Sequence, residues 1–207
     1  MKKLFTILTF AALTLTTSHL GAQAFDKSTK QISIGLGPAS MWHFGGFGYG
    51  YGYGYGYTGY SPITGQLCIQ GEFAVHKYVG VGFNVGIGGR AASPAGRLGY
   101  GYGWGYPEFN IPLGAIANFH FYQLIADKTG KGSKMHSDKL DIYAGLNLGT
   151  GVAIYPKGNY FADTRAAALF WAGPQVGINY WFKPNIGVQG EVGYGKTFIN
   201  AGIAFKL

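Results

Sequence analysis

The sequence predicts an all-β fold, an eight-stranded antiparallel up-and-down transmembrane β-barrel. Apolar residues alternate with polar residues or glycine through eight segments, as on strands whose two faces meet different surroundings. Charged residues make up 12% of the 207 residues, about half of the roughly 25% found in soluble domains. After residue 24 no apolar run reaches the roughly 20 residues that a transmembrane helix needs.

The N-terminus has the features of a secretory signal peptide. Lys2 and Lys3 precede an apolar run at 4–15, and Ala22-Gln23-Ala24 has small residues at both positions that signal peptidases recognise. We predict cleavage before Phe25, which leaves residues 25–207 as the barrel domain. An uncleaved anchor helix is the weaker alternative, because threonines interrupt the short apolar run.

Each predicted strand has one apolar and one polar face. The strands are predicted over residues 31–36, 66–75, 79–87, 108–119, 140–148, 170–180, 186–194 and 199–207. In this order the apolar faces include Ile32, Leu67, Val79, Phe109, Leu140, Phe170, Ile186 and Ile199. The opposite faces include Ser33, Gln70, Asn84, Asn118, Asp141, Gln175, Gln189 and Asn200. Because lipid cannot satisfy free backbone groups, strands that cross a bilayer must close into a barrel.

The connections between strands differ in length, and an even strand count places both termini at one end. Turns of three or four residues are predicted after the second and sixth strands, and outer loops near 38–65, 89–107 and 156–165. The connection at 122–139 is long for a periplasmic turn.

Two local features are predicted around the fourth and sixth strands. His120–Lys128 is predicted to form a short helix, with Leu124 and Ile125 as its apolar contacts. Pro112 and Pro174 lie inside predicted strands and cannot donate a ladder hydrogen bond, so we expect a bulge or a local break at each.

The C-terminus carries a pattern of its own. A polar residue is followed two positions later by glycine, and two large apolar residues end the chain at alternate positions: Asn200, Gly202, Phe205 and Leu207. This resembles the C-terminal assembly signal of Gram-negative outer-membrane barrels, although an aromatic residue is commoner than leucine at the last position. The mature chain thus resembles the small eight-stranded outer-membrane β-barrel family. The resemblance implies a cell outer-membrane location, contact with its lipid, and recognition by the barrel-assembly machinery; we predict a monomer.

Two segments of the predicted outer loops repeat glycine and tyrosine. If they are extended, their rings lie on one side and form a candidate surface for sugars or another protein. The candidate contact residues are Tyr49, Tyr51, Tyr53, Tyr55, Tyr57, Tyr102 and Trp104. The alternative is a low-complexity loop with no partner. The sequence does not identify the extracellular ligand or protein.

Two carboxylates are predicted to face the lumen. Glu72 and Glu191 lie on the polar faces of the second and seventh strands, and a buried carboxylate needs a partner or a proton. No arginine is predicted to face inward, so the partners are water, Gln70, Gln189 or a loop arginine. We predict that these residues form a structural lumen network.

No catalytic, cofactor-binding or metal-binding residue is predicted. A Ser-His-Asp group would have to come from residues scattered over the outer loops: Ser40, His43, Ser61 and Asp163. His76 and His120 lie at the opposite end, and neither has a partner at metal-ligand spacing. No nucleic acid is predicted as a partner, because the formal charge of +8, or +6 without Lys2 and Lys3, comes with no dense basic run.

The predicted function is that of an integral outer-membrane barrel with a structural or surface-interaction role. The interior of an eight-stranded barrel is just wide enough for side chains, which disfavours an open pore. A narrow channel or transport accessory is the first alternative. A lipid-modifying enzyme and a secreted soluble glycine-rich β-protein are the others.

Overall fold

A computed structural model describes residues 23–37, 64–90, 108–157, 163–194 and 197–207. This part of the chain contains eight strands and a helix. Their bounds are β1 Lys30–Gly37, β2 Thr64–His76, β3 Val79–Arg90, β4 Glu108–Phe119, α1 Phe121–Thr129, β5 Leu140–Tyr155, β6 Arg165–Lys183, β7 Ile186–Gly193 and β8 Ile199–Lys206.

The strands form one closed antiparallel barrel. Each strand pairs with its neighbours in sequence, and β8 pairs with β1 through the register Ile34↔Ile203. The predicted fold class is therefore confirmed. β5 and β6 run further than predicted, because Thr150–Tyr155 continue to pair with Arg165–Phe170.

The two ends of the barrel differ. We call the end where β1 begins and β8 ends the proximal end, and the opposite one the distal end. The proximal turns after β2 and β6 have two residues each, 77–78 and 184–185, fewer than the three or four predicted. The predicted outer loops belong to the distal end and lie mostly outside the described residues.

The predicted proximal helix is confirmed as α1, but its buried face was predicted wrongly. Gln123 and Ala126 are its buried residues, whereas Ile125 is 45% exposed. The helix ends at Gly130, whose φ of 63° is left-handed and lets its N–H bond to the last turn. Within the described residues no helix is long and apolar enough to cross a membrane.

The two prolines inside strands both stay paired with residues of β5. Pro112 stays paired with Gly151 of β5, while the β3–β4 ladder skips Pro112 and resumes at Asn110 without a register shift. Pro174 stays paired with Leu146 of β5, and the pairing of β6 with β7 begins only at Gln175. The expected local break is thus present at Pro112. At Pro174 the β6–β7 ladder ends, and the Tyr194 N–H still donates to the Pro174 carbonyl at 2.9 Å. Neither proline lies at a bulge. Register shifts occur instead beside the two proximal turns.

Candidate functional site: a polar lumen closed at one end

The interior of the barrel is polar and its exterior is apolar. Large apolar side chains face outward; Leu36, Leu148 and Phe170 are 67%, 64% and 75% exposed. The inward side chains are mostly amides and carboxylates that are almost completely buried. These are Gln31, Gln66, Gln70, Glu72, Asn84, Asn110, Asn118, Asp141, Asn147, Gln175, Asn179, Gln189, Glu191 and Asn200.

Inward glycines let long side chains lie across a neighbouring strand. Tyr143 of β5, Gly177 of β6 and Glu191 of β7 form one row across the barrel wall. A Cβ at Gly177 would lie 2.1 Å from Cζ of Tyr143, so only glycine lets this ring reach over β6. In the same way Gln175 reaches over Gly145 and donates to Asn118 at 2.7 Å. Glycine spacing thus decides which polar groups meet.

A histidine between two carboxylates occupies the proximal part of the lumen. Nε2 of His120 is 2.9 Å from Oε1 of Glu72, and Nδ1 is 2.8 Å from Oδ2 of Asp141. Nε2 of Gln31 donates to the other Glu72 oxygen at 2.7 Å. Ionised carboxylates only accept hydrogen bonds, so an imidazolium with two N–H donors satisfies both. We call His120, Glu72 and Asp141 the histidine cluster.

The surroundings of His120 favour its charged form. His120 lies outside the strands, between β4 and α1, and its side chain is fully buried. Burial lowers the pKa of the imidazole, but hydrogen bonds to Asp141 and Glu72 and their negative charges outweigh it and raise the pKa from 6.5 to about 9. A pKa that is higher in the folded than in the unfolded protein adds to the free energy of unfolding. This contribution is complete at a pH below the pKa of the unfolded state, and it is lost as the pH rises through the pKa of the folded state.

The protein should therefore lose stability in mildly alkaline solution. We expect the melting temperature in detergent to fall as the pH rises from about 7 to about 10, because His120 loses its proton near pH 9. The fall should be smaller in a His120→Leu variant and unchanged in His76→Leu, since His76 is exposed. Equal pH profiles for all three proteins would contradict the assigned role of His120.

A second cluster is centred on Glu191. The hydroxyl of Tyr143 donates to Oε2 of Glu191 at 2.9 Å, and Nε2 of Gln70 donates to the same oxygen at 3.3 Å. Nε2 of Gln189 donates to the Tyr143 hydroxyl at 2.8 Å. The rings of Tyr143 and His120 are 5.3 Å apart, which makes the two clusters neighbours.

Uncharged amides occupy the lumen beyond these clusters. Besides its bond to Asn118, Gln175 accepts from Asn147 at 3.2 Å. Both amide atoms of Gln66 and of Asn84 are buried, and neither side chain has a hydrogen-bond partner among the described residues. Such groups are where bound water is expected in a protein interior.

The N-terminal segment closes the proximal mouth. The fully buried Phe25 ring stacks on His120 with centroids 3.4 Å apart and planes at 9°. The N–H of the buried Ala24 donates to the carbonyl of Ser137 at 2.6 Å, and the Gln23 side chain donates to Asp127. The segment therefore packs against both the histidine cluster and the α1 connection.

The four residues of the predicted lumen network fall into two clusters. Gln70 donates to Glu191, and Gln189 is linked to Glu191 through the Tyr143 hydroxyl, whereas Glu72 belongs to the histidine cluster. For Glu72 the expected partners, Gln70, Gln189 or a loop arginine, were wrong, because Gln31 and His120 bind it. His120 was predicted to begin the short proximal helix and was not assigned as a partner of either carboxylate. Its position two residues after the inward Asn118 was the signal that it continues the inward face of β4.

The other candidate residues lie either outside the described residues or on the surface. Tyr49, Tyr51, Tyr53, Tyr55, Tyr57, Tyr102, Trp104, Ser40, His43 and Ser61 lie outside the described residues. Asp163 and His76 are exposed. In the described part of the chain no group of three His, Cys, Asp or Glu side chains can hold a metal ion.

In the predicted assembly signal, Asn200 and Gly202 lie on the inward face of β8, and Phe205 and Leu207 lie on the outward side. Asn200 is buried in the lumen and Leu207 is 63% exposed on the outside. A Cβ at Gly202 would lie 2.1 Å from the carbonyl oxygen of Ile34, so glycine is required for the contact of β8 with β1. Recognition of this strand by the assembly machinery stays a prediction.

Solved structures of similar fold are small β-barrels. Neisserial surface protein A (NspA) matches with a TM-score of 0.51 and 13% identity over 86% of this chain and 96% of that one. Ail, the attachment invasion locus protein of Yersinia pestis, matches with a TM-score of 0.45 and 12% identity over 88% of this chain and 98% of that one. The N-terminal β-barrel domain of Pseudomonas aeruginosa OprF matches with a TM-score of 0.43 and 11% identity over 88% of this chain and 98% of that one.

At these identities the likeness is one of fold, and the NspA match agrees with the predicted resemblance to small eight-stranded barrels. No protein-family model matches the chain, and no curated protein matches it.

Proposed function

We propose that the chain is an integral outer-membrane β-barrel with a structural or surface-interaction role. The observation that carries the proposal is the inverted distribution of polarity in the closed barrel. A barrel in water buries its apolar face, whereas here the amides and carboxylates are buried and large apolar residues are exposed around the wall. Such a surface is stable where lipid replaces water.

The apolar surface extends around the whole circumference. Every strand exposes at least one large apolar side chain; examples in strand order are Ile34, Phe73, Val81, Leu113, Leu146, Val176, Val188 and Ile203. A continuous band of this kind fits a bilayer better than a local interface with one protein partner. By analogy with other barrels, the proximal end with its short turns faces the periplasm.

The lumen supports a structural role over conduction. Side chains of the two clusters fill its proximal part, and Phe25 closes the mouth. We therefore assign the network of Glu72, Glu191, Gln70 and Gln189 to barrel stability. A narrow channel or transport accessory is the alternative function, and single-channel recording in planar bilayers distinguishes it from a structural role.

The finer parts of the proposal concern processing and the outer surface. We propose removal of residues 1–24, which would take away the Gln23 and Ala24 contacts and keep the Phe25 stack. The assembly machinery then recognises the strand that ends in Phe205 and Leu207. The Gly/Tyr segments around Tyr49–Tyr57 and Tyr102–Trp104 serve as a contact surface for an extracellular ligand or protein. We assign no catalytic residue.

Extraction from membranes tests the central claim. Expressed in a Gram-negative host, the processed chain should stay in the outer-membrane pellet after a carbonate wash. It should also migrate differently in gels before and after boiling, because a closed barrel resists detergent until heated. Release by carbonate would contradict the proposal.

A substitution and its control distinguish whether lipid or water surrounds the barrel wall. Leu148→Arg places a charge on a side chain that is 64% exposed, and in lipid it should cost about 2–4 kcal/mol of unfolding free energy. In a soluble barrel the same exposed change should stay within about 0.5 kcal/mol. Lys139→Arg, an exposed change outside the strands, should leave the unfolding free energy unaltered.

A further inference from the structure

We propose that lysines around the proximal end form a collar that binds the anionic headgroups of the surrounding phospholipid leaflet. The inference rests on the proposed membrane location and adds a partner of stated chemistry to it. It comes from the charge of one end of the barrel, which the sequence distributes over many separate positions.

Most of the positive charge of the mature chain gathers at the proximal end. Of the 16 Lys and Arg residues, Lys2 and Lys3 precede residue 25, and nine of the other 14 lie at or beyond the proximal ends of the strands. The nine are Lys27, Lys30, Lys77, Lys128, Lys131, Lys134, Lys139, Lys183 and Lys206. The side-chain carboxylates on the surface of this end are Asp26, Asp127 and Asp138, because Glu72 and Asp141 are buried with His120.

Seven of these lysines are exposed and available to a partner. Lys77 pairs with Asp127 at 2.6 Å, and the Lys206 ammonium lies 4.5 Å from the centroid of the Trp181 ring. The other seven are exposed, and none forms an ion pair within the described part of the chain. We call these seven the lysine collar. They are Lys27, Lys30, Lys128, Lys131, Lys134, Lys139 and Lys183.

The collar surrounds the barrel. Lys27 and Lys30 precede or begin β1, Lys139 precedes β5, and Lys183 ends β6, with the others on the α1 connection. These elements lie on different sides of a closed barrel. A polymer or a protein that docked on one side would contact only some of them, whereas a lipid leaflet contacts the whole circumference.

The collar also adjoins the apolar band. Phe73, Phe119 and Phe182 are exposed on the wall near the proximal ends of their strands. Lysine beside apolar surface buries its methylene stem and extends its ammonium to the headgroup level. An anionic leaflet attracts such ammonium groups, and salt screens the attraction. These features together point to phospholipid phosphate as the partner.

Lipid selectivity in vesicles tests the collar. The full mature chain is folded into phosphatidylcholine vesicles and into phosphatidylcholine–phosphatidylglycerol vesicles, and spin-labelled lipids report which headgroup occupies the protein boundary. We expect wild type to prefer phosphatidylglycerol and to lose the preference in high salt. A double variant, Lys30→Gln with Lys183→Gln, should roughly halve the preference. The matched distal pair, Lys157→Gln with Arg165→Gln, should preserve it.

The outcomes separate this inference from the proposed function. Insertion into both vesicle types without headgroup preference would overturn the collar while leaving the barrel in the membrane. Failure to insert into either type would overturn the proposed function itself. If the Lys30 and Lys183 variant kept full lipid preference but lost binding to purified cell-wall sacculi, the collar would belong to an anionic polymer, and the lipid assignment would be wrong.

Discussion

Gly177→Ala should lower the free energy of unfolding by about 1–3 kcal/mol. The new methyl carbon would lie 2.1 Å from Cζ and 2.3 Å from the hydroxyl oxygen of Tyr143, far inside van der Waals contact. Forced overpacking costs about 1–3 kcal/mol. If the ring moves instead, Glu191 keeps Gln70 as a donor but loses the Tyr143 hydroxyl, and the loss of a hydrogen bond to a charged group costs about 1.5–3 kcal/mol.

Gly190→Ala is the matched control. Gly190 lies on β7 opposite Ile178, next to the pair of Gly177 and Glu191, but it faces outward. A Cβ added to Gly190 would lie 3.4 Å from Ile178, an ordinary van der Waals contact. The control should therefore stay within about 0.5 kcal/mol of wild type. The measurement is urea unfolding in lipid vesicles followed by tryptophan fluorescence. Equal stabilities of the two variants would show that Tyr143 does not need the space over Gly177.

The strands were predictable from sequence because one physical condition repeats along the chain. An apolar outer face and a polar inner face impose a period of two, which places every predicted strand within the observed barrel. The longer β5–β6 hairpin was missed because its outer part, around Ala166–Ala168, is exposed on both faces and does not alternate. Periodicity therefore predicts the part of a strand that has one apolar and one polar face better than its full length.

The contacts inside the lumen were less predictable, because they depend on register between distant strands. Glu72 and Asp141 could both be assigned to inward faces, but nothing local places His120 between them. Tyr143 likewise contacts Glu191 only because the residue between them on β6, Gly177, has no side chain. The lysine collar was missed for the same reason, since its members form no basic run and meet only through barrel closure.

His120→Leu should destabilise the barrel by about 3–5 kcal/mol, the cost of removing one partner from a buried charge pair. Glu72 and Asp141 would remain buried without the cation that lies within 2.9 Å of both. Gln31 and Asn179 still donate to them, at 2.7 Å and 3.4 Å, but these amides carry no compensating charge. The stacking partner of Phe25 would be lost as well.

His76→Leu is the control for this change, because it removes an exposed histidine from the same end of the barrel. Its effect should stay within about 0.5 kcal/mol. The His120 variant should also recover part of its stability in acid, where protonation neutralises the carboxylates that the lost imidazolium had balanced. Wild-type stability in the His120 variant at neutral pH would mean that the carboxylates are neutral in the folded barrel, and the histidine cluster would then be no ion pair at all.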